Sequence, residues 1–599
     1  MANRSAEFIL EYTKNQRQFM VKPDSAKRGG TEVLPYDSEI EAVHMALLRT
    51  GKVIYYSGFR KPVREETKTR IWDPKASPDD PDKIFDPTTP TDLFCAGHAF
   101  MPDGRLLSTG GTMEYRRMPP PFLVRISLQL SALAPRRLQI FMAERQNMEF
   151  TGPRFLYLFD PHKKQWDFAG NMRHGRWYPT NCALPDGSML ILSGRDEGGG
   201  YQRHLDEDAQ EKEGQPDYPA RVTINKDVEL LHPDGTLEYK GKVRGPGIRP
   251  MMGMMTYGGH HHMFPTEYPR LHLLPLTHLS DEEKSKYSRG RVFCAGYGPE
   301  TKMLNLDTWE WEHVDELRNE HPRHDGSSVL LPLDYRDDYR PRVLTFGGSI
   351  EMALRANALD TCEIIDFGEE HPRWRFLRNE EGNILRINPR VHNSSTLLPD
   401  GKVIVIGGNS EARWDKPVYE VEVFDPETDT WEYDHHPIKV ERGYHATGIL
   451  LPDGRVFVSG TTPATHKELR MEVYSPYYLD GNPQRPVIDS VNAHGVTENL
   501  DGDYPQLMYG ESFEISYSGN SSAVSKVSLV RPGSMTHAFD MGQRHICVEI
   551  IDNVDGVLRL KTPPDPHIAP PGYYMLFILD TNGVPSEAKF VHIPVVTNE

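Results

Sequence analysis

Four side chains capable of metal or redox chemistry stand at one fixed offset in this 599-residue chain, nine positions before a turn glycine. They are Cys95 before Gly104, Tyr178 before Gly187, His392 before Gly401 and His445 before Gly454. Tyr444, beside His445, joins them. A thiol, phenols and imidazoles gathered in one cavity are the makings of a transition-metal site. Each alone also has a plain packing role. A histidine opening an apolar strand is ordinarily a hydrogen-bonded core residue, a tyrosine packs, and a buried cysteine is inert. The shared offset points to chemistry, because equal offset means equal height if the four strands are equivalent. Other clusters are weaker. His260, His261 and His262 are consecutive, so in an extended chain they point to alternate sides, and the Asp434 to Pro437 stretch reads as a turn. HExxH, Walker A and GxSxG motifs are absent, as is a GxGxxG following a strand, which leaves zincin, nucleotide-binding and α/β-hydrolase readings without support.

The elements that carry these positions repeat. The unit is an apolar strand, a tight turn, an apolar strand ending in glycine, and then an alternating strand closing on Asp-Pro and Trp. HNSSTLLPDGKVIVIGG from His392, HATGILLPDGRVFVSG from His445 and CAGHAFMPDGRLLSTGG from Cys95 are nearly perfect copies. Weaker copies begin at His44, Tyr178, Gly290 and His324, the last with its turn expanded into a charged loop. Second halves follow in the same order, among them LYLFDPHKKQW, LNLDTWEW, VEVFDPETDTW and MEVYSP. Pro-Asp-Gly between β-rich runs reads as a hairpin, since glycine supplies the positive φ of a tight turn. Two hairpins make a four-stranded blade, and seven such units predict an all-β fold, a seven-bladed kelch-type β-propeller over 41–484 after an N-terminal extension, 1–40. Innermost strands of a propeller line its axis, so the register residues converge at one mouth of the channel. Insertions at 112–152 and 195–214 are read as loops over a propeller face. From about Arg485 the repeat stops, and short strands with Gly, Pro, Asn and Asp turns predict an immunoglobulin-like sandwich over 485–599.

Composition narrows the partners. A net charge of −18 repels phosphate backbones and anionic membrane surfaces, so nucleic acid is an unfavoured partner. The chain has no run of eighteen apolar residues, and charges break its first twenty before a signal-peptide apolar region can form. The expectation is a chain without a membrane span, monomeric, and either cytoplasmic or exported by a route that leaves no leader in this sequence. Five widely spaced cysteines without a CxxC suggest neither a disulfide framework nor a structural zinc site.

The motifs resemble those of the galactose oxidase and glyoxal oxidase family of copper radical oxidases, over roughly residue 40 to the end. In that family a cysteine in an FC-x-G segment is thioether-linked to a tyrosine. FCAGHAFMPDG supplies Cys95 and GRWYPTNCALPDG supplies Tyr178. The axial tyrosine followed by a histidine ligand matches ERGYHATGILLPDG, giving Tyr444 and His445. The last ligand, a histidine from the C-terminal domain, matches LVRPGSMTHAFDMGQR and gives His537, so a loop of the sandwich must reach up the propeller axis. His392, Asp196 and Trp177 are expected just outside the ligands.

The resemblance implies one copper per chain held by Tyr178, Tyr444, His445 and His537, with Cys95, Tyr178 and Tyr444 catalytic. Two imidazoles and two phenols suit tetragonal Cu(II) and leave a place for substrate. Copper carries one electron and oxidising an alcohol or hydrated aldehyde takes two, so the Cys95–Tyr178 adduct would store the second as a radical. Tyr444 would take the substrate proton. The partners implied are a small aldehyde or primary alcohol and dioxygen, the latter leaving as hydrogen peroxide. Galactose oxidase stacks a tryptophan over the thioether from a position that Asp196 occupies here, and the RWYP wording is nearer to glyoxal oxidases, which favours small aldehydes over galactose. A kelch propeller serving as a protein-binding scaffold is the rival reading; it explains the repeats but not the five-residue set. A glycosidase-type propeller lacks a repeated Ser-x-Asp box.

Overall fold

The computed structural model describes residues 30–57, 68–113, 151–196, 224–243, 267–296, 298–319, 322–350, 357–411, 416–434, 436–462, 468–493, 495–497, 504–519 and 523–596. Most of both insertions and the three consecutive histidines lie outside these residues, as does 1–29.

The described chain is nearly all strand. Seven antiparallel sheets follow one another up to Ser475, with strands in spatial order along the chain except that the first sheet gains a hairpin from beyond Ser475 and the last gains Gly30–Asp37. The clearest is Ser394–Leu397, Val403–Ile406, Val421–Asp425 and Thr430–Asp434, in which the Pro-Asp-Gly turn joins the first pair as the sequence pattern requires. Several first strands of successive sheets adjoin: Gly97–Phe100 meets Thr180–Ala183, which meets Leu271–Leu274. The first strand of the last sheet, Thr447–Leu450, meets His44–Leu47 of the first, so the array closes on itself. Closure leaves few free edges.

Two features differ from the sequence reading. Gly30–Asp37, placed there in an N-terminal extension, is the outer strand of the last sheet, paired with Arg470–Ser475. The unit read from Gly290 begins earlier, at Leu271–Leu274. Its first turn has grown to hold a capped helix, Asp281–Lys286, so no Pro-Asp-Gly marked it.

A buried ion pair recurs across four sheets. Arg176, Arg323, Arg390 and Arg442 lie in the segments that cross to the first strands, and Glu229, Glu363, Glu422 and Glu472 stand in the third strands. Arg176 Nη2 is 2.7 Å from Glu229 and Arg323 Nη2 is 2.5 Å from Glu363. Each carboxylate also accepts a backbone N–H from the crossing segment, as Glu422 does from Asn388 at 2.8 Å. Each guanidinium also donates to the carbonyl that follows the second strand, Arg390 to Gly407 at 2.7 Å and Arg442 to Gly460 at 3.1 Å. Neighbouring sheets then interlock: the Gly348 N–H donates to the Arg390 carbonyl of the next sheet at 2.9 Å. Gly347, at φ 61°, turns the chain toward that carbonyl, and a Cβ there would collide with it. This is the physical reason the repeat ends its second strand in glycine.

The tryptophans tie outer strands together. Trp166 Nε1 donates to Thr69 Oγ1 of the preceding sheet at 3.2 Å, and Trp374 Nε1 to Thr301 Oγ1 at 3.0 Å.

Beyond Pro476 two further sheets share one core. Phe513, Ile515, Leu558 and Leu560 of one pack with Val527, Leu529, Leu576 and Ile578 of the other. From this unit a hairpin, Ser534–Thr536 with Phe539–Asp540, leaves to join the inner edge of the first sheet, pairing Thr536 with His44 and Met535 with Met45. His537 and Ala538 form its two-residue turn with φ of 46° and 63°, as a type I′ turn demands. Asp540 Oδ1 accepts the Ser534 and Gly542 N–H groups and braces the hairpin; burial pushes its carboxyl up to about 6.

Replacing one member of a buried pair strands the other charge. Glu422→Leu is expected to cost about 3–5 kcal/mol, measured as a lowered denaturant midpoint by tryptophan fluorescence. A loss below about 1 kcal/mol would contradict the clamp's role.

Candidate active site

The register positions share a backbone state. Cys95, Tyr178, His392 and His445 each lie two residues ahead of an inner strand, with φ between 60° and 68°. In the two intervening sheets Asp325 lies two residues and Tyr268 three residues ahead of the inner strand, with φ of 56° and 41°. Left-handed φ is costly for non-glycine residues and persists where surroundings over-determine it. Here the clamps do so: Arg176, Arg323, Arg390 and Arg442 lie two or three residues before Tyr178, Asp325, His392 and His445.

The side chains converge. The Tyr178 and Tyr444 hydroxyls are 2.9 Å apart. The His445 and His537 rings have centroids 4.7 Å apart, and His537 lies 4.8 Å from the Tyr178 ring and 5.8 Å from that of Tyr444. Cys95 Sγ is 4.0 Å from His537 Nε2, and its thiol, pushed up by burial, lies beside the Tyr178 phenol. All five residues from the motifs therefore meet, with His537 brought in by the hairpin turn.

Hydrogen bonds fix the tautomers of both imidazoles. Thr536 Oγ1 donates to the Val43 carbonyl at 2.9 Å, so it must accept from His537 Nδ1, 2.7 Å away. Thr462 Oγ1 donates to the Glu41 carboxylate at 3.3 Å and accepts from His445 Nδ1 at 2.8 Å. Protons on Nδ1 leave lone pairs on Nε2, the arrangement of a metal-ligating histidine with its second ring nitrogen anchored. Burial, followed by the neighbouring His445, His392 and Arg270, holds His537 well below the usual imidazole range. Burial, then the fields of Cys95, Tyr444 and Tyr268, pushes the Tyr178 phenol well above 10.

Of the three outer candidates, Trp177 stacks on Tyr178 at 3.8 Å and 16° and donates its indole N–H to Thr112 Oγ1. His392 lies 4.8 Å from the Tyr444 ring, its Nδ1 3.8 Å from Asp325 Oδ1. Asp196 is buried, only 1% exposed.

Sequence reasoning missed Tyr268. It stacks on Tyr178 at 4.4 Å and donates its hydroxyl to the Ala96 carbonyl at 2.9 Å. Two rings this near to one ring cannot share a face, so Trp177 and Tyr268 enclose Tyr178 from opposite sides. Tyr268 and Asp325 precede the two sheets whose first turns are enlarged, so no glycine stood nine positions on to reveal them.

Among the described residues no three His, Cys, Asp or Glu side chains are grouped to hold a metal. A metal here would depend on the two phenols.

With this geometry in place, the comparisons become informative. The profile described as glyoxal oxidase N-terminus matches residues 310–478, and that described as galactose oxidase-like, early set domain matches 485–593. Aldehyde oxidase GLOX of Vitis pseudoreticulata is 26% identical over 537 residues, 84% of this chain and 82% of its own. Galactose oxidase of Gibberella zeae is 23% identical over 604 residues, 96% of this chain and 71% of its own. A solved fungal alcohol oxidase in complex with copper superposes with a TM-score of 0.66 at 20% identity, covering 95% of this chain and 99% of that one, which shows a shared fold. The resemblance read from the motifs is thereby borne out: the chain is related to the glyoxal oxidases and galactose oxidases.

Beneath the site His98 is buried, and that burial lowers its pKa to about 4. Between pH 6.5 and 4 the unfolded chain then carries a proton that the folded chain lacks, so acidification favours unfolding by about 1.4 kcal/mol per pH unit. In metal-free protein His98→Leu should lose about 2 kcal/mol less than the parent between pH 7 and pH 5. Equal losses in denaturant titrations would contradict the assignment.

Proposed function

We propose that the chain is a copper radical oxidase. It would oxidise small aldehydes or primary alcohols with dioxygen, on a seven-bladed kelch-type propeller capped by an immunoglobulin-like domain. The observation that carries this reading is the pairing of two imidazoles, both set to offer Nε2, with two phenols 2.9 Å apart and a thiol alongside. This nitrogen and oxygen donor set fits Cu(II). Tyr178, Tyr444, His445 and His537 would hold the ion, which when bound supplies a one-electron acceptor and lowers the pKa of a coordinated phenol.

The protein groups divide the remaining work. Tyr444, half-buried beside the register residue His445, is placed to take the proton from a substrate hydroxyl as general base. Tyr178, joined to Cys95 by a thioether, would hold the oxidising equivalent and take the hydrogen atom from the substrate carbon. Trp177 and Tyr268 cover both faces of that ring and keep water from it. An alcohol then loses two protons and two electrons overall, and dioxygen receives them as hydrogen peroxide. The stacking indole expected of a galactose oxidase comes here from Trp177, the residue preceding the tyrosine. The preference for small aldehydes rests on Asp196 at the position of the galactose oxidase tryptophan, on the RWYP resemblance and on this changed source of the indole.

Copper-loaded protein is expected to hold one ion per chain, and His445→Ala and His537→Ala to lose it on dialysis. Retention by both variants would sink the ligand set. Loading in air should remove two hydrogens by intact mass, leaving one fewer titratable thiol than the five free cysteines. The oxidised protein should form peroxide faster from glyoxal, methylglyoxal or glycolaldehyde than from galactose. A preference for galactose would overturn the substrate class, and no peroxide from any alcohol or aldehyde would favour the scaffold reading.

A further inference from the structure

The left-handed residues are linked to one another by backbone hydrogen bonds that run from sheet to sheet. The Tyr178 N–H donates to the Cys95 carbonyl at 2.9 Å, the Tyr268 N–H to the Tyr178 carbonyl at 2.8 Å, and the His392 N–H to the Asp325 carbonyl at 2.9 Å. Tyr178, Tyr268 and His392 are thus held by the equivalent residue of the sheet before them. Cys95 cannot be held that way. Two residues ahead of its inner strand the preceding sheet has Ala42, which is not left-handed and whose carbonyl accepts the Thr447 hydroxyl at 2.8 Å. The Cys95 N–H donates instead to a side chain, Nε2 of His44, at 3.0 Å.

His44 is a costly residue for that place unless the bond matters. It is fully buried, and its ring lies flat on Tyr56 at 4.6 Å and 6°, a packing role that phenylalanine would fill. Its Nδ1 finds no hydrogen-bond partner, so the bond to Cys95 is the polar contact its ring makes among the described residues. Burying an imidazole with one nitrogen unsatisfied is costly relative to an apolar ring. The return is a fixed backbone at Cys95, whose φ of 62° an unsupported cysteine would not keep.

We propose that His44 is the positioning residue for thioether formation, closing the belt of hydrogen bonds at Cys95 so that the thiol is held against the Tyr178 ring. This rests on the oxidase reading. In the coupling, Cys95 gives up its S–H hydrogen and Tyr178 an ortho ring hydrogen as the S–C bond forms. Two electrons and two protons pass to dioxygen, which becomes hydrogen peroxide. His44 takes no part in the bond changes; it sets the distance and direction across which they occur, where small misplacements are costly in rate.

Three variants separate this role from packing. His44→Phe keeps the ring stack and removes the acceptor. His44→Gln places an amide oxygen near the Nε2 position, and His44→Asn is a methylene too short to do so. Hydrogen–deuterium exchange at the Cys95 amide and the time course of the two-hydrogen mass loss, after copper is added in air, are both read. Phe and Asn should exchange the Cys95 amide at least tenfold faster than the parent and couple at least tenfold more slowly, while Gln stays within threefold of the parent in both. Coupling in His44→Phe at the parent rate would overturn the proposal, as would Gln behaving like Asn. If Phe fails to fold, the Gln and Asn pair decides. A parent protein that loses no mass on loading defeats the oxidase reading, whereas the exchange readout still judges the hydrogen bond.

Discussion

A buried guanidinium–carboxylate clamp, repeated in four of the seven sheets, is the constraint on which the rest depends. Arg390 and Glu422, like Arg442 and Glu472, are fully buried, and such pairs return little net stability when set against their desolvation. What they return here is geometry. Each glutamate gathers an arginine and a backbone N–H of the crossing segment, and each arginine reaches the carbonyl that ends the second strand. The chain is thereby held from two sides within two or three residues of the position that must adopt a left-handed φ. Apolar packing alone would not fix that dihedral, because it does not distinguish one backbone path through the crossing from another.

Chemistry follows from where the clamps point. They deliver phenol, imidazole and carboxylate side chains to one level from different sheets, and His537 arrives from beyond Pro476 on a two-residue turn. The site is therefore as rigid as the sheets, as precise catalytic geometry requires. The threonines add a finer control. Because Thr462 and Thr536 spend their own protons on Glu41 and on the Val43 carbonyl, they can only accept from the histidines, and each imidazole is left with Nε2 as its base. Enclosure of Tyr178 between an indole and a phenol serves a different end: under the proposed function it would protect a ring that has to survive oxidation.

Much of this was legible before the structure. The turn glycines marked the inner hairpins wherever the turn stayed tight, and the offset of nine residues located Cys95, Tyr178, His392 and His445, whose equivalence the shared φ now explains. The glutamates were visible too, in VELL, EIID, VEVF and MEVY, but as polar positions of an alternating strand, since nothing local names the arginine that each one meets. Tyr268 and Asp325 were hidden because a helix and a charged loop had replaced the turns that define the register. Gly30–Asp37 was misplaced for a topological reason: a strand that closes a ring pairs with residues more than four hundred positions away. His44 was quoted as the start of a repeat without a role, because its partner is a backbone amide and amides carry no sequence signature.

The central claim is that these donors form a single copper site at the mouth shared by the inner strands. Anomalous diffraction at the copper edge, from crystals of the copper-loaded protein, tests it most directly. The account predicts one strong peak per chain, bounded by the Tyr178 and Tyr444 hydroxyls and by Nε2 of His445 and His537. A loaded crystal with no peak there, or with its strongest peak at another cluster of side chains, would contradict it.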